Sequence, residues 1–361
     1  MLNSKIRIIY EMANNHMGDL EHGLKIINEL KQVSKPFDFE FAVKFQFRNL
    51  DTFIHPNYKG SDLKFVKRFE ETVLSEDDWE KLINETRRQN FKCITTPFDE
   101  QSIPKAINLN IDILKIASCS MSDWPLIEEL AKTNKEIIFS TAGANLNDID
   151  NMVSFFKNRD KEITLMHCVG KYPTPDNELQ IGQIEFYKNR YSDINIGYST
   201  HEDPNNFIAA GLALSMGAST FEKHVAIKTE KYGVNDYSAT PDQLSNWLKS
   251  IQDSYSMMGM KNQRANVPAD EISSLRGLQR GMFLNKNIKK GHKITLEDLN
   301  LFIPVEDKGF TANDFSKYSE FTANKDINKN EAINKDNVTF TNLRNNILNI
   351  VEDIKNVVKE N

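Results

Sequence analysis

The sequence predicts a (β/α)8 barrel followed by a small β-rich unit, and three observations carry the prediction. Eight short runs rich in β-branched and aromatic residues recur along the first three quarters of the chain. Amphipathic, helix-patterned segments fill the gaps between them, the pattern of parallel strands joined by crossover helices. Polar residues gather where the runs end, which is where barrel enzymes build their sites.

The expected strands are IRIIYE (6–11), EFAVKFQF (40–47), KCITTPF (92–98), DILKIAS (112–118), EIIFST (136–141), ITLMHCV (163–169), INIGYST (194–200) and STFEKHV (219–225). Segments such as LEHGLKIINELKQV, SEDDWEKLINETRRQ and PLIEELAKTN lie between them, several opened by serine or aspartate as a helix cap. Eight such units suit a closed barrel better than an open sheet, which has fewer strands and a glycine-rich first turn. The barrel is assigned to 1–262 and a polar linker, within KNQRANVPADEISS, to 263–274. A β-rich unit is assigned to 275–341, where NKNIKKGHKIT and NKDINKNEAINKD read as a repeated turn pattern. A helix packing on another surface is expected over 342–361.

Composition narrows the function. With 39% hydrophobic and 27% charged residues the chain is an ordinary globular protein. No apolar run reaches the roughly 18 residues that span a bilayer, and no secretory signal opens the sequence, so a cytoplasmic protein without a membrane anchor is expected. A net charge of -6 argues against broad nucleic-acid binding. The three cysteines, Cys93, Cys119 and Cys168, lack paired spacing and are expected as reduced core residues.

The predicted strand ends carry Glu11, Lys44, Gln46, Thr96, Asp99, Lys115, Ser118, Ser140, Thr141, His167, Ser199, His201, Glu222 and His224, a ring converging on one pocket. His201 and His224 end adjacent strands, so their imidazoles suit a divalent cation with open positions for water or substrate. Glu11 and Glu222 are acid–base candidates; strand-end ion pairs with Lys44, Lys115 or Lys223 are the alternative. Lys44 and Lys115 among the hydroxyls of Thr96, Ser118, Ser140 and Ser199 suit a phosphate. No nucleotide-type glycine loop is present, which favours a phosphorylated small molecule. A barrel aldolase with Lys115 or Lys223 as Schiff-base nucleophile is a competing reading, as is a sugar-binding protein that has lost catalysis.

The phrases EMANNHMGD, VKFQF, TTPFD, LKIAS, FST, HCVGKYPTP, GYSTH, FEKH and NDYSATP resemble, in order and spacing, the sialic acid synthase family. Members condense phosphoenolpyruvate with an amino sugar to give a 3-deoxy-2-ulosonic acid. The small unit resembles the antifreeze-protein-like domain of that family. The resemblance implies His201 and His224 as manganese ligands, with magnesium or cobalt as alternatives. It implies Lys44, Thr96, Lys115, Ser118, Ser140 and Ser199 as phosphoenolpyruvate contacts. Glu11, Asn15, Gln46, Tyr172 and Asp236 are implied around the reacting centre and sugar. Glu11 is the first choice for handling the proton of water, with Glu222 or Asp236 as alternatives. A domain-swapped homodimer is implied, as is a role in surface glycan synthesis. Ser120, Thr200, Gly170 and Ile303 depart from the family pattern. Ile303 replaces an arginine that grips an N-acetyl group, which points to a different aldose acceptor: a deoxy-diamino hexose, or a sugar without an N-acetyl group.

Overall fold

The computed structural model describes residues 5–260 and 263–359. They form two compact units, Met1–Asn262 and Gln263–Asn361.

In the first unit eight parallel strands close into a barrel in sequence order. They are β1 (Arg7–Glu11), β2 (Glu40–Phe47), β3 (Lys92–Pro97), β4 (Ile113–Ile116), β5 (Glu136–Ser140), β6 (Ile163–Cys168), β7 (Asn195–Thr200) and β8 (Thr220–His224). All eight runs expected from the sequence are strands, their ends agreeing to within two residues. The barrel closes through β1 and β8, with Glu11 opposite His224. Capping side chains start the crossover helices: Asp19 accepts from the His22 amide, Ser75 from Asp78 and Asn145 from Asp148. Thr240 and Gln243 form a reciprocal capping box before the helix Pro241–Met258.

Alternation along each strand separates two apolar layers. Outward side chains such as Tyr10, Phe45, Leu114, Phe139 and Phe221 pack against the helices. Inward ones, Ile9, Ala42, Ile94, Ile113, Ile138 and Met166, make a small closed cluster that plugs the barrel. Gly197 belongs to this inner layer. A Cβ there would lie 2.7 Å from the Thr220 carbonyl oxygen and 3.1 Å from Met166 Cε, so only glycine lets Met166 fill the axis.

In the second unit β9 (Gly281–Leu284) pairs with β11 (Leu299–Phe302), and β10 (Lys293–Ile294), β12 (Ser319–Ala323) and β13 (Val338–Asn342) form an antiparallel sheet. The repeated turn phrases face each other: the amides of Ile288 and Ile327 each donate to the other residue's carbonyl, at 2.8 and 2.9 Å. Gly291 and Asn330 occupy equivalent left-handed positions, with φ of 88° and 67°. Met282, Ile288, Phe321, Ile327 and Ile333 form the core of this unit.

One expectation changes here. The stretch 263–274, assigned as a polar linker, is helical in part, because a helix, Ala269–Gly277, begins inside it. Asp270 and Glu271 in its first turn favour that start by facing the positive end of the helix dipole. The terminal helix spans Leu343–Lys359, with Ile347, Ile350 and Ile354 exposed in the single chain; residues 360–361 lie outside the described residues. Among the described residues no helix is long and apolar enough to cross a membrane.

Candidate active site

Two residues beyond the apolar plug, the inward positions turn polar. Ile9 is followed by Glu11, Ala42 by Lys44, Ile94 by Thr96, Ile113 by Lys115, Ile138 by Ser140, and Met166 by Cys168. On the last two strands the same step gives Ser199 and Glu222. All eight are buried. The period of two that places isoleucine in the plug therefore forces a polar layer directly above it, at the carboxyl ends of the strands.

The charges in this layer form one chain. Lys44 pairs with Glu11 and lies 3.7 Å from Glu222 Oε1. Lys115 Nζ donates to the same Glu222 oxygen at 2.6 Å, and the Ser199 hydroxyl donates to it at 3.1 Å. Lys44 also donates to Thr96 Oγ1 at 3.3 Å. Gln46 donates to Glu11 at 3.3 Å and accepts from Arg48 at 2.9 Å. Burial alone would raise the Glu222 carboxyl, but the ammonium groups of Lys115 and Lys44 outweigh it and hold the group below its usual range. Burial pulls the Lys44 ammonium down, against the opposing pull of Glu222. The Ser140 hydroxyl, buried in the same layer, has no hydrogen-bond partner. Ser118 accepts from the Ala142 amide at 3.1 Å, tying the ends of β4 and β5.

Above this layer the imidazoles of His201 and His224 face one another with ring centroids 5.2 Å apart. Burial pushes His201 down to about 4, despite the Val169 carbonyl, and His224 well below its ordinary value. Both rings are therefore neutral near pH 7. His201 Nδ1 lies 2.9 Å from the Val169 carbonyl. That contact makes Nδ1 the N–H donor and leaves the lone pair on Nε2. His224 Nδ1 is buried with no hydrogen-bond partner. A neutral pair with an unsatisfied inner nitrogen fits a divalent cation. Among the described residues no group of three or more His, Cys, Asp or Glu side chains could hold a metal, so further ligands would come from water or substrate.

The rim is aromatic. The Tyr172 ring lies 4.1 Å from that of His201 and 5.2 Å from Tyr237, and Tyr237 lies 5.1 Å from His224. Asn15 is spent on structure: its amide donates to the Val225 carbonyl at 2.8 Å and to Ser238 at 3.1 Å, and its oxygen accepts from Asn235. Asp236 is exposed. A cavity of about 830 Å³ adjoins the site at Gln46 and Arg48.

Some expected members of the ring face elsewhere. His167 points away from the axis, its Nε2 donating to the Leu179 carbonyl at 2.8 Å and its ring stacking on Tyr198. Thr141 bonds the Met166 carbonyl, and Asp99 accepts from Ser102 and the Asn49 amide. Lys223 lies outside the barrel wall in a fully buried ion pair with Glu202, which removes it as a Schiff-base nucleophile. Cys119 is exposed rather than in the core, because it sits in the turn Ser118–Ser120 where the chain leaves β4. Sequence reasoning missed Cys168, Arg48 and Tyr237. Cys168 was recoverable from its place two residues after Met166, and Tyr237 from its position beside Asp236.

Of the four departures from the family pattern, Ser120 and Thr200 are buried, and Ile303 of the second unit is 66% exposed. At Gly170 a Cβ would meet only Ala142, at 3.5 Å, so the position has room for a side chain.

Comparison with known proteins follows the same lines. N,N'-diacetyllegionaminic acid synthase of Campylobacter jejuni is 28% identical over 346 residues, 91% of this chain and 99% of its own. The crystal structure of spore coat polysaccharide biosynthesis protein E from Chromobacterium violaceum matches with a TM-score of 0.89 at 43% identity, covering 93% of this chain and 100% of that one. That of N-acetylneuraminic acid synthetase from Leptospira borgpetersenii matches with a TM-score of 0.66 at 27% identity, covering 76% of this chain and 91% of that one. The NeuB family description matches residues 40–263, from the second barrel strand to the end of the first unit. With most of the barrel and its polar layer inside that match, the chain belongs to the NeuB family of sialic acid synthases and their relatives.

Proposed function

We propose that this protein condenses phosphoenolpyruvate with an aldose to form a 3-deoxy-2-ulosonic acid, releasing inorganic phosphate, for glycan biosynthesis. The observation that carries the reading is the buried chain Glu11–Lys44–Glu222–Lys115, set between hydroxyls and beneath two neutral imidazoles. Two buried ammonium groups are costly unless paired. Here carboxylates balance them, and an enol phosphate can compete for the same donors.

On this reading Lys44, Lys115, Thr96, Ser118, Ser140 and Ser199 hold the phosphate and carboxylate through charge-assisted bonds. As phosphate oxygens accept from Lys44, Glu11 loses its partner and becomes free to act as a base. C3 of phosphoenolpyruvate attacks the aldehyde carbon, and the former aldehyde oxygen takes a proton from solvent to become a hydroxyl. Water adds at C2, giving its proton to Glu11, with Glu222 and Asp236 as alternative bases. Collapse of the tetrahedral centre breaks the bond from C2 to the phosphate oxygen, the C2 hydroxyl proton leaving with the phosphate, and leaves a 2-keto group. A divalent ion held by His201 and His224, manganese first and magnesium or cobalt next, would supply Lewis-acid polarisation of the aldehyde. Tyr172 and Tyr237 wall the acceptor side, and Gln46 orients Glu11.

The second unit is proposed as an antifreeze-like lid that covers the barrel of a second subunit in a domain-swapped dimer, completing the acceptor site and excluding water. The acceptor is proposed to be an aldose other than N-acetylmannosamine, because Ile303 cannot donate the hydrogen bonds that an amide needs.

The test is phosphate release. It should require phosphoenolpyruvate, a divalent ion and an aldose together, with mass spectrometry of the product across an acceptor panel identifying the sugar. Absence of release with every aldose in the presence of manganese counts against the reading, and borohydride trapping of pyruvate on Lys115 would favour an aldolase instead.

A further inference from the structure

The two imidazoles have immediate neighbours in sequence that point the other way. Glu202 follows His201 and Lys223 precedes His224, and both side chains are 0% exposed on the outer side of the barrel wall. Lys223 Nζ lies 3.1 Å from Glu202 Oε1 and 3.4 Å from the Glu202 carbonyl oxygen. The Tyr198 hydroxyl donates to the other carboxylate oxygen at 3.3 Å. Glu202 is thus held by side chain and backbone together, to β8 through Lys223 and to β7 through Tyr198.

The same backbone carries a third element of the site. The Thr174 amide donates to the His201 carbonyl at 2.9 Å, and Thr174 forms a parallel bridge with Glu202. This bridge anchors the segment bearing Tyr172, whose ring covers His201. One buried ion pair therefore lies behind His201, His224 and Tyr172 at once.

Stability is a weak reason for such a pair. Desolvating two charges in an apolar layer costs so much that well-packed apolar residues often serve as well or better. What a charged pair adds is geometry: it fixes the separation of two chain segments, and that separation sets the distance between the imidazoles on the opposite face.

We propose that the Glu202–Lys223 pair is a positioning device that sets the spacing of His201 and His224 from behind the barrel wall. The inference rests on the divalent-ion role proposed above for those histidines. Groups that orient metal ligands without touching the metal typically change affinity by roughly ten- to a hundred-fold when removed.

The experiment measures Mn2+ affinity of the full-length protein by electron paramagnetic resonance, together with Tm and the affinity for phosphoenolpyruvate without metal. Wild type is compared with H224A, with E202Q and with the uncharged pair E202L/K223M. In folded E202L/K223M, Mn2+ affinity should fall about ten-fold or more, with phosphoenolpyruvate affinity within about two-fold of wild type. If that variant does not fold, E202Q is read against the same expectation. A folded variant that binds Mn2+ as wild type does, with only its Tm changed, overturns the positioning role while leaving the metal reading intact. Wild type that binds no Mn2+, or binds it equally well as H224A, overturns the metal reading and this inference with it.

Discussion

Replacing Lys115 with methionine separates the two roles proposed for the buried charge chain. Methionine is close to lysine in length, so the change removes charge and hydrogen bonds and leaves little cavity. In wild type, two ammonium groups (Lys44, Lys115) face two carboxylates (Glu11, Glu222), and Glu222 Oε1 accepts from Lys115 at 2.6 Å. Without Lys115, Glu222 keeps only Ser199 and the more distant Lys44, at 3.7 Å. Breaking a buried pair by removing one partner costs about 3–5 kcal/mol, because the other charge stays buried. In a domain of this size that lowers Tm by roughly 6–20 °C, at about 2–4 °C per kcal/mol. Loss of a charge-assisted contact to substrate, about 1.5–3 kcal/mol, predicts a roughly ten- to hundred-fold higher KM for phosphoenolpyruvate. The double variant K115M/E222Q restores the balance of Lys44 against Glu11. Calorimetry should show much of the Tm regained, while kinetics should show the KM defect persisting. A K115M protein as stable as wild type refutes the energetic argument. Normal phosphoenolpyruvate binding in either variant refutes the anion site.

Three further outcomes are expected. H224A should lose activity at ordinary metal concentrations, with manganese affinity reduced; turnover near that of wild type would remove the metal assignment. In the second unit Asp298 is buried. Burial would raise its carboxyl, but hydrogen bonds from Lys286, the Thr295 amide and His292 hold it well below the usual carboxylate range. Its folded value is depressed, so its stabilisation is complete above the unfolded value of about 4 and is lost as pH falls below that. D298N should therefore destabilise this unit by about 1–3 kcal/mol at pH 7. The difference from wild type should shrink toward pH 3 in pH-dependent melting, and a constant difference would contradict the assignment. Deleting 275–361 should weaken acceptor use and dimerisation, as read by kinetics and sedimentation; a fully active monomeric barrel would refute the lid.

Much of the site was legible because strand periodicity is a local property. The spacing from Ile9 to Glu11, and from Ala42 to Lys44, already states that one residue plugs the axis and the other stands above it. What was not legible is facing at the strand ends. His167 and Lys223 lie one residue from Cys168 and from Glu222 and His224, and a shift of one residue exchanges the inside of a barrel wall for the outside.

Local pattern therefore determined the eight strands, the β-rich second unit with its twin turns, the terminal helix, and the set of residue types at the barrel mouth. Tertiary structure alone decided that Lys44 and Lys115 share Glu222, that Cys168 and not His167 completes the polar layer, and that Glu202 meets Lys223 behind the histidines. The reason is that partnership between groups far apart in the chain depends on strand register and barrel closure. These arise from the packing of all eight strands together and leave no trace in any one of them.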